Sequence, residues 1–460
     1  MKKKKASIFS YIIIAAFIVS LGTVGIISMT DTDPTVSERE QRELARYPQF
    51  TLKSFFDGSF FSQWQAAYDD TLPARNFWLD VYGEIRTAAT VSEGENGEVL
   101  VVVEDEDEQV DINNEDPGEE NGEETGEPGE TEVIEEMSEE ELQELLKQPF
   151  DGTGYEQFEN GTKVSGVVIR DKRGMQVFNG TMKGAKGYSA VVKQTKSLFP
   201  DNRVIAIVAP NSAAFYSDEK YHTKNHDQKA WIDLVEKNLP GIVFPHIYEE
   251  IEAHKDEYVY FYTDHHWTTR GAYYAYQQLC QETGMEAQNI EELTEGKITG
   301  FLGSLYNKTN SKTLSKNPDT VYYYTPSVTT KATTYGNVTN MSSPHSASII
   351  HKKVSGSNKY YCFTGGDKNF ISIKTGSDSG KTAVLIKDST GNALVPWLCH
   401  NYSQIYVIDP RHVNTNKNNQ IKLKKFLKDK TDADIIFCSF IYNANNMGGI
   451  YYKGILRLLK

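Results

Sequence analysis

The chain has 460 residues, more than one hydrophobic core usually organises at about 100–200 residues per domain, so one large domain with additions is expected. Its formal charge of −15 does not describe the whole surface. About two dozen acids fall in 93–144, where there is no Lys or Arg, which leaves about 39 carboxylates against the remaining 48 basic residues. The folded remainder is therefore mildly basic, a surface open to an anionic polymer or lipid headgroups and equally to the plain reading of solvated lysines. No nucleic-acid partner is expected. Cys280, Cys362, Cys399 and Cys438 form no C-x-x-C or Cys/His metal pattern. Buried thiols are the default, with one disulfide open to them in an oxidising compartment.

In chain order, Lys2–Lys5 precede an uncharged apolar run over 8–29, enough to cross a hydrocarbon core of about 30 Å as a helix. The positive flank predicts that Lys2–Lys5 stay cytoplasmic and that the rest lies outside. A cleaved signal peptide is the rival, but an A-x-A-like site is missing around Ser28-Met29-Thr30. Residues 1–30 are read as a membrane anchor and 31–91 as a helical segment rich in aromatics, including Phe55, Phe60, Phe61, Trp64 and Tyr68. An interfacial belt is one reading of those rings; packing as core is the preferred one. Residues 92–146 carry the signature of a disordered acidic insertion, with high charge, Gly and Pro and little apolar surface. Within it 99–103 offers an edge strand, and Ser138 starts a helix.

The α/β body, 147–460, opens with a hairpin over 164–170 and 175–178. A helix over 186–199 leads to Arg203-Val204-Ile205-Ala206-Ile207-Val208-Ala209, a run fit for a strand buried on both faces of a parallel sheet. It ends at Pro210-Asn211-Ser212, so Asn211 is a candidate for the site's lining, although turn chemistry explains it equally. Helix 228–238, strand 241–244 and helix 247–254 follow. The aromatic run Tyr258-Val259-Tyr260-Phe261-Tyr262-Thr263 then reads as a strand ending at Asp264-His265-His266-Trp267, with Thr268 or Thr269 capping a helix to about 282. About 300–376 is a β-rich insertion whose aromatics are able to stack on sugars, though half-exposed sheet aromatics are common without ligands. Strand 382–387 runs into Asp388-Ser389-Thr390-Gly391-Asn392. Helix 393–400, strand 404–408 with Asp409-Pro410-Arg411, helix 419–429 and strand 433–440 close the body.

An acid two residues before a histidine holds that imidazole in one tautomer, leaving its other nitrogen for a nucleophile. Ser389, at a strand-to-helix turn close to backbone N–H groups, is the candidate nucleophile. Asp264, His266 and Ser389 thus make a catalytic set, with Asn392 and Asn211 as oxyanion or substrate ligands and Arg411 orienting an acyl or polysaccharide group. No metal and no cofactor are expected. His265-His266 invites a metal reading, yet neighbouring strand positions face opposite ways.

The Asp264–Trp267 and Lys387–Asn392 stretches resemble the DHHW family, relatives of the alginate O-acetylation proteins with an SGNH-hydrolase-like domain. Further likeness lies in Ser37-Glu38-Arg39-Glu40, Arg42-Glu43-Leu44, Phe301-Leu302-Gly303-Ser304-Leu305-Tyr306 and Val407-Ile408-Asp409-Pro410-Arg411. The resemblance implies an SGNH-like parallel sheet flanked by helices, an Asp-x-His pair at Asp264 and His266, and a nucleophile at Ser389. It also implies 31–91 packed on the catalytic domain and polysaccharide O-acetylation outside the cell, with a membrane-bound O-acyltransferase supplying acetyl groups. A carbohydrate acetylesterase and a non-catalytic polysaccharide-binding scaffold are the alternatives.

Overall fold

Val204–Ala209 (VIAIVA), Thr382–Lys387 (TAVLIK) and Asp434–Phe440 (DIIFCSF) are apolar almost without break, and nearly every residue in them is buried. Only a strand covered on both faces asks for that composition. The computed structural model describes residues 139–460 except 160, 162, 355–357 and 414–418, and before them 36–37, 42–43, 47–51, 55, 59–70, 91–93 and 99–101. The chain divides into two compact units, 1–89 with 111–118, and 90–110 with 119–460.

In the first unit, β1 (Val36–Ser37) pairs antiparallel with β2 (Arg42–Glu43), and α1 spans Ser59–Asp70. Its rings gather on one another, Trp64 stacked on Tyr68 and Phe60 edge-on to Phe61, while Phe61, Trp64 and Tyr68 remain exposed. Residues 8–29, and 104–138 of the acidic insertion, lie outside the described residues. Among the described residues no helix is long and apolar enough to cross a membrane.

In the second unit, β3 (Val91–Glu93), β4 (Val99–Val101), β5 (Val167–Arg170) and β6 (Arg173–Gln176) form an antiparallel four-stranded sheet. The α2 helix, Glu139–Leu145, precedes β5. Then come α3 (Met182–Leu198), β7 (Val204–Ala209), α4 (Gln228–Lys237), α5 (Ile247–Ala253) and α6 (Thr269–Thr283). Thr268 caps α6, its Oγ1 accepting from Arg270 N at 3.2 Å, and Gly284 ends it at φ 68°, the left-handed turn that glycine adopts without penalty. Strands β8 (Thr294–Phe301) and β9 (Asp319–Thr325) make a separate antiparallel ribbon. The remainder is β10 (Thr330–Asn337), β11 (Ser342–Ala347), β12 (Phe370–Thr375), β13 (Thr382–Lys387), β14 (Gln404–Ile408), β15 (Asp434–Phe440) and α7 (Ile450–Leu459).

The large sheet runs β11-β10-β12-β14-β13-β15-β7. From β14 to β7 the pairs are parallel, but β11, β10 and β12 join antiparallel. The fold is thus mixed α/β, and the expectation of a parallel sheet holds for one half only. Within residues 300–376, β10, β11 and β12 extend the main sheet past β14, while β9 pairs with β8 in the separate ribbon. The short Asn337–Ser342 connection of the β10–β11 pair permits only antiparallel pairing.

Alternation along the strands sorts the core. Ile205, Ile207, Leu385, Val407 and Ile436 face one apolar cluster, completed by Ala272, Ala275 and Leu279 of α6. Val204, Ala206, Val384, Ile386 and Ile435 face the other, covered by Val191 of α3, Trp231 of α4 and Ile455 of α7. Each fully buried aliphatic side chain contributes about 1.5–3 kcal/mol. All four cysteines are buried and unbonded to each other. Of the expected elements, 241–244 reduces to a single bridge, Ile205 to Val243, and 419–429 keeps only the short helix Leu423–Phe426.

Candidate active site

The aromatic run before Asp264 is not a strand. It is an irregular loop closed by one isolated bridge, Tyr260 to Trp267, and held by side chains instead of a ladder. Arg173 of β6 donates from Nη1 to the carbonyls of Tyr260 (3.0 Å) and Phe261 (2.9 Å). Its guanidinium lies between the Tyr216 and Tyr262 rings, 4.1 and 4.0 Å from their centroids. From β9, buried Asp319 accepts from the Tyr262 and Thr263 amides (2.8 and 2.7 Å), the Thr263 hydroxyl (2.6 Å) and the Tyr258 phenol (2.5 Å). These bonds satisfy backbone groups that a sheet would otherwise pair.

Asp264 and His266 emerge from this clamp. Asp264 Oδ1 accepts from the His266 amide at 2.9 Å and lies 2.6 Å from His266 Nδ1, while Oδ2 accepts from Ser304 N at 2.8 Å. His266 Nε2 is 2.8 Å from Ser389 Oγ. Beside the carboxylate, Nδ1 carries the proton, which leaves Nε2 to accept from the serine hydroxyl. All three residues are buried, Ser389 with 8% exposure. Burial alone would raise the Asp264 carboxyl, but the neighbouring imidazoles of His266 and His265 and the bonds from His266 and Ser304 outweigh it, holding it well below the usual carboxylate range. The acid therefore stays ionised.

Gly303 makes the approach of Ser304 feasible. A Cβ there would sit 2.3 Å from both Cβ and Oδ2 of Asp264. His265 turns away from the line, its Nδ1 2.5 Å from Ser304 Oγ and its ring 3.8 Å from that of His266.

Ser389 opens a 3-10 turn, Ser389–Ala393, directly after β13. Asp388 caps it and anchors it: Oδ1 accepts from Thr390 N (3.0 Å), and Oδ2 accepts from Phe440 N (2.6 Å) and Asn443 Nδ2 (2.9 Å). Tyr360 joins base and nucleophile. Its ring stacks on His266 at 4.0 Å and 7°, and its hydroxyl donates to the Ser389 carbonyl at 3.0 Å. Trp267 Nε1 adds a bond to the Thr390 carbonyl at 2.9 Å.

The three further site candidates fare differently. Asn392, buried within the turn, donates from Nδ2 to Asp367 Oδ1 at 2.8 Å. Arg411 is also buried, but it is not aimed at an open site: Nε and Nη2 bond both oxygens of Asp409 (3.0 and 2.8 Å), and Nη2 reaches Asp367 at 2.9 Å. With Lys387 Nζ 2.9 Å from Asp409, it neutralises the two carboxylates, and so orients Asn392 through Asp367. Asp367 and Asp409 are held below the usual carboxylate range because Arg411 and Lys387 outweigh the effect of burial. The Asn211 side chain bonds Gln176 O (3.0 Å), Ala213 N (2.8 Å) and Gln228 Nε2 (2.8 Å), and so braces the turn after β7.

Among the described residues two clusters have the ligand types for a metal, Asp264/His265/His266 and Asp367/Asp409/His412. In the first, both His266 nitrogens are engaged in the acid–base line; in the second, Arg411 and Lys387 already supply the positive charge. Sequence reading missed Tyr360, which sits on the turn Lys359–Cys362, and Asp367 as the partner of Asn392. The Gly365-Gly366-Asp367 string was the one signal for the latter.

Residues 185–408 match the model of the DHHW protein family, so the resemblance carried by Asp264–Trp267 and Lys387–Asn392 is a family match over that stretch. The crystal structure of a DHHW family protein from Eubacterium siraeum DSM 15702 is similar at 27% identity and a TM-score of 0.55, over 65% of this chain and 97% of that one. Bacillus cereus PatB1 shares the fold at 19% identity and a TM-score of 0.50, over 62% of this chain and 98% of its own. The O-acetyltransferase domain of Pseudomonas putida AlgJ is more distant, at 14% identity and a TM-score of 0.36, over 61% and 92%. No curated protein is similar enough to match.

Proposed function

We propose that this protein is a serine-dependent acyl-transfer enzyme that O-acetylates a cell-surface or extracellular polysaccharide. What supports the reading is the unbroken line from Asp264 through His266 to Ser389, with contacts of 2.6 and 2.8 Å and a carboxylate that stays ionised.

Ser389 Oγ attacks the carbonyl carbon of an acetyl donor as its proton passes to His266 Nε2. Asp264 stabilises the imidazolium that forms. The tetrahedral oxyanion takes hydrogen bonds from the Ser389 N–H, the first of its turn and so without a partner within it, and from the Asn392 amide. One such donor contributes about 2.7–4 kcal/mol in sites of this kind. The carbon–oxygen bond to the donor alcohol then breaks, that alcohol leaves with the His266 proton, and acetyl-Ser389 remains. A sugar hydroxyl attacks the acetyl carbonyl as its proton passes to His266 Nε2; the carbon–oxygen bond to Ser389 then breaks, and the His266 proton returns to Ser389 Oγ. Water in the same position gives an esterase, so reaction class turns on the acceptor alone.

Residues 8–29 would anchor the chain with this site outside the cell, where a membrane-bound O-acyltransferase supplies acetyl groups. Ser389→Ala is expected to abolish turnover of p-nitrophenyl acetate and labelling by a sulfonyl fluoride. Full retained turnover would remove the nucleophile assignment. Supplying a glycan together with the ester separates the two reactions: acetylated glycan marks transfer, free acetate alone marks hydrolysis.

A further inference from the structure

A cavity of about 540 Å³ lies between the β8–β9 ribbon and the start of α6. Alternation along β9 builds one wall, since Val321 faces the core while Thr320, Tyr322 and Tyr324 line the space. Tyr258, Tyr262 and Arg270 line it from the aromatic loop and the first turn of α6. The Tyr258 and Tyr262 rings are near parallel, 5.8 Å apart, and Tyr322 stands edge-on to Tyr258 at 6.2 Å and 80°.

The polar groups divide into spent and open. The Tyr258 phenol is bonded to Asp319 at 2.5 Å; that of Tyr324 donates to Glu295 at 2.6 Å and accepts from Arg270 at 3.4 Å. The Tyr262 and Tyr322 hydroxyls have no intramolecular partner among the described residues. Arg270 is offset by Glu295 through Tyr324 and by Glu257 at 3.3 Å, so the walls offer no uncompensated cation for an anionic ligand. What remains is aromatic surface whose electron-rich faces attract C–H groups, rimmed by phenols and a carboxylate that exchange hydrogen bonds with hydroxyls. A pyranose ring has that pair of surfaces: axial C–H bonds on its face and hydroxyls around its edge. The volume falls within the roughly 300–1,000 Å³ of small-molecule sites.

We propose that this cavity is a glycan subsite that seats neutral pyranose units of the acceptor. The proposal rests on the acyl-transfer reading for the fate of the bound sugar, not for its binding. Its wall includes Asp319, the carboxylate that fixes the Tyr262 and Thr263 amides immediately before Asp264. A seated sugar therefore touches the brace of the loop that carries acid and base.

The test is saturation-transfer NMR on the full chain with the methyl glycosides of glucose, galactose, mannose and N-acetylglucosamine. Transfer to ring C–H protons is expected for at least one of them. Tyr322→Ala should weaken that binding at least tenfold and Tyr322→Phe by a smaller factor, with thermal melts of both variants confirming folding. Ser389→Ala should bind as the parent does while losing ester turnover. Transfer to none of the glycosides, or parent-like binding by folded Tyr322→Ala, overturns the subsite and leaves the acyl-transfer reading standing. Binding that survives in a parent protein without ester turnover overturns only the acyl-transfer reading.

Discussion

Gly303→Ala tests whether the acid's seat sets the rate. The Gly303 amide donates to Thr263 Oγ1 at 3.0 Å, and the next amide, Ser304 N, donates to Asp264 Oδ2 at 2.8 Å, which draws the two segments into contact. A methyl at 303 would lie 2.3 Å from Asp264 Cβ and Oδ2. Non-bonded carbons settle about 3.5–4.0 Å apart, so the segments must part by at least about 1 Å. Asp264 has no free rotation to absorb this, because its other oxygen holds both the amide and Nδ1 of His266. Misplacing a catalytic group by about 1 Å costs on the order of 100-fold, or about 2.7 kcal/mol in the barrier. Steady-state hydrolysis of p-nitrophenyl acetate should show kcat reduced by that factor with KM little changed. Overpacking destabilises by about 1–3 kcal/mol, so thermal melts must accompany the kinetics. Gly448→Ala is the control, since a methyl there meets only Asn446 Oδ1 at 3.5 Å. A folded Gly303→Ala protein with kcat within a factor of two of the parent would refute the argument.

Tyr360→Phe keeps the ring on His266 and loses the bond to the Ser389 carbonyl, so kcat should fall about 5- to 10-fold, in keeping with about 1 kcal/mol for one hydrogen bond; Tyr360→Leu, which also removes the stack, should fall further, and equal rates for the two would deny the stack a role. Arg411→Ala removes the guanidinium that pairs with both Asp367 and Asp409, leaving Lys387 and the His412 imidazole beside them, and breaking an ion network in this way costs about 3–5 kcal/mol, read as a lower urea midpoint. Asp319→Asn puts an amide NH₂ against the Tyr262 or the Thr263 N–H whichever way it turns, at a cost of about 1–3 kcal/mol, with kcat expected to fall and an unchanged kcat counting against the clamp. Burial pushes His400 down to about 4. Its folded value thus lies below the ordinary imidazole value of about 6.5. The unfolded chain takes up this proton first as pH falls from about 6.5, so His400 draws stability down until about pH 4 and adds no further slope below it. Urea midpoints at pH 7 and pH 4.5 should lie closer together in His400→Gln than in the parent, and identical differences would sink the assignment.

Sequence reading located what local rules govern. The buried strands β7, β13, β14 and β15 announce themselves as apolar runs, α6 by its Thr cap, and Ser389 by its place after β13. The loop before Asp264 was misread because Tyr258–Thr263 has strand composition, while the groups that decide its shape, Arg173 and Asp319, lie 87 and 56 residues from their partners Tyr260 and Thr263. Arg411 and Asn211 stand at strand ends, as expected of ligands, but the carboxylates of Asp367 and Asp409 claim the first and Gln176 and Gln228 the second. Nothing local marks a buried guanidinium as structural; its partners Asp367 and Asp409 come together only when β12 and β14 pair. Tyr360 was hidden for a similar reason, in a Tyr-rich string that reads as sheet and forms a turn beneath an imidazole.

The same long-range contacts separate chemistry from scaffolding. His266 and Ser389 are 123 residues apart in the chain, yet their hydrogen bond is not what brings them together. The Tyr360 phenol on the Ser389 carbonyl, the Trp267 indole on the Thr390 carbonyl and the Tyr360 ring on His266 all span the same gap without involving the serine hydroxyl. Two hydrogen bonds at about 0.5–1.5 kcal/mol each and an aromatic stack of about 0.5–1.5 kcal/mol outweigh the single bond that Ser389→Ala deletes. Asp388 adds its own anchor to Phe440 and Asn443. The loop and the turn should therefore keep their positions in Ser389→Ala, with a melting temperature near the parent's, so that lost turnover in that variant reports a missing nucleophile and not a collapsed site.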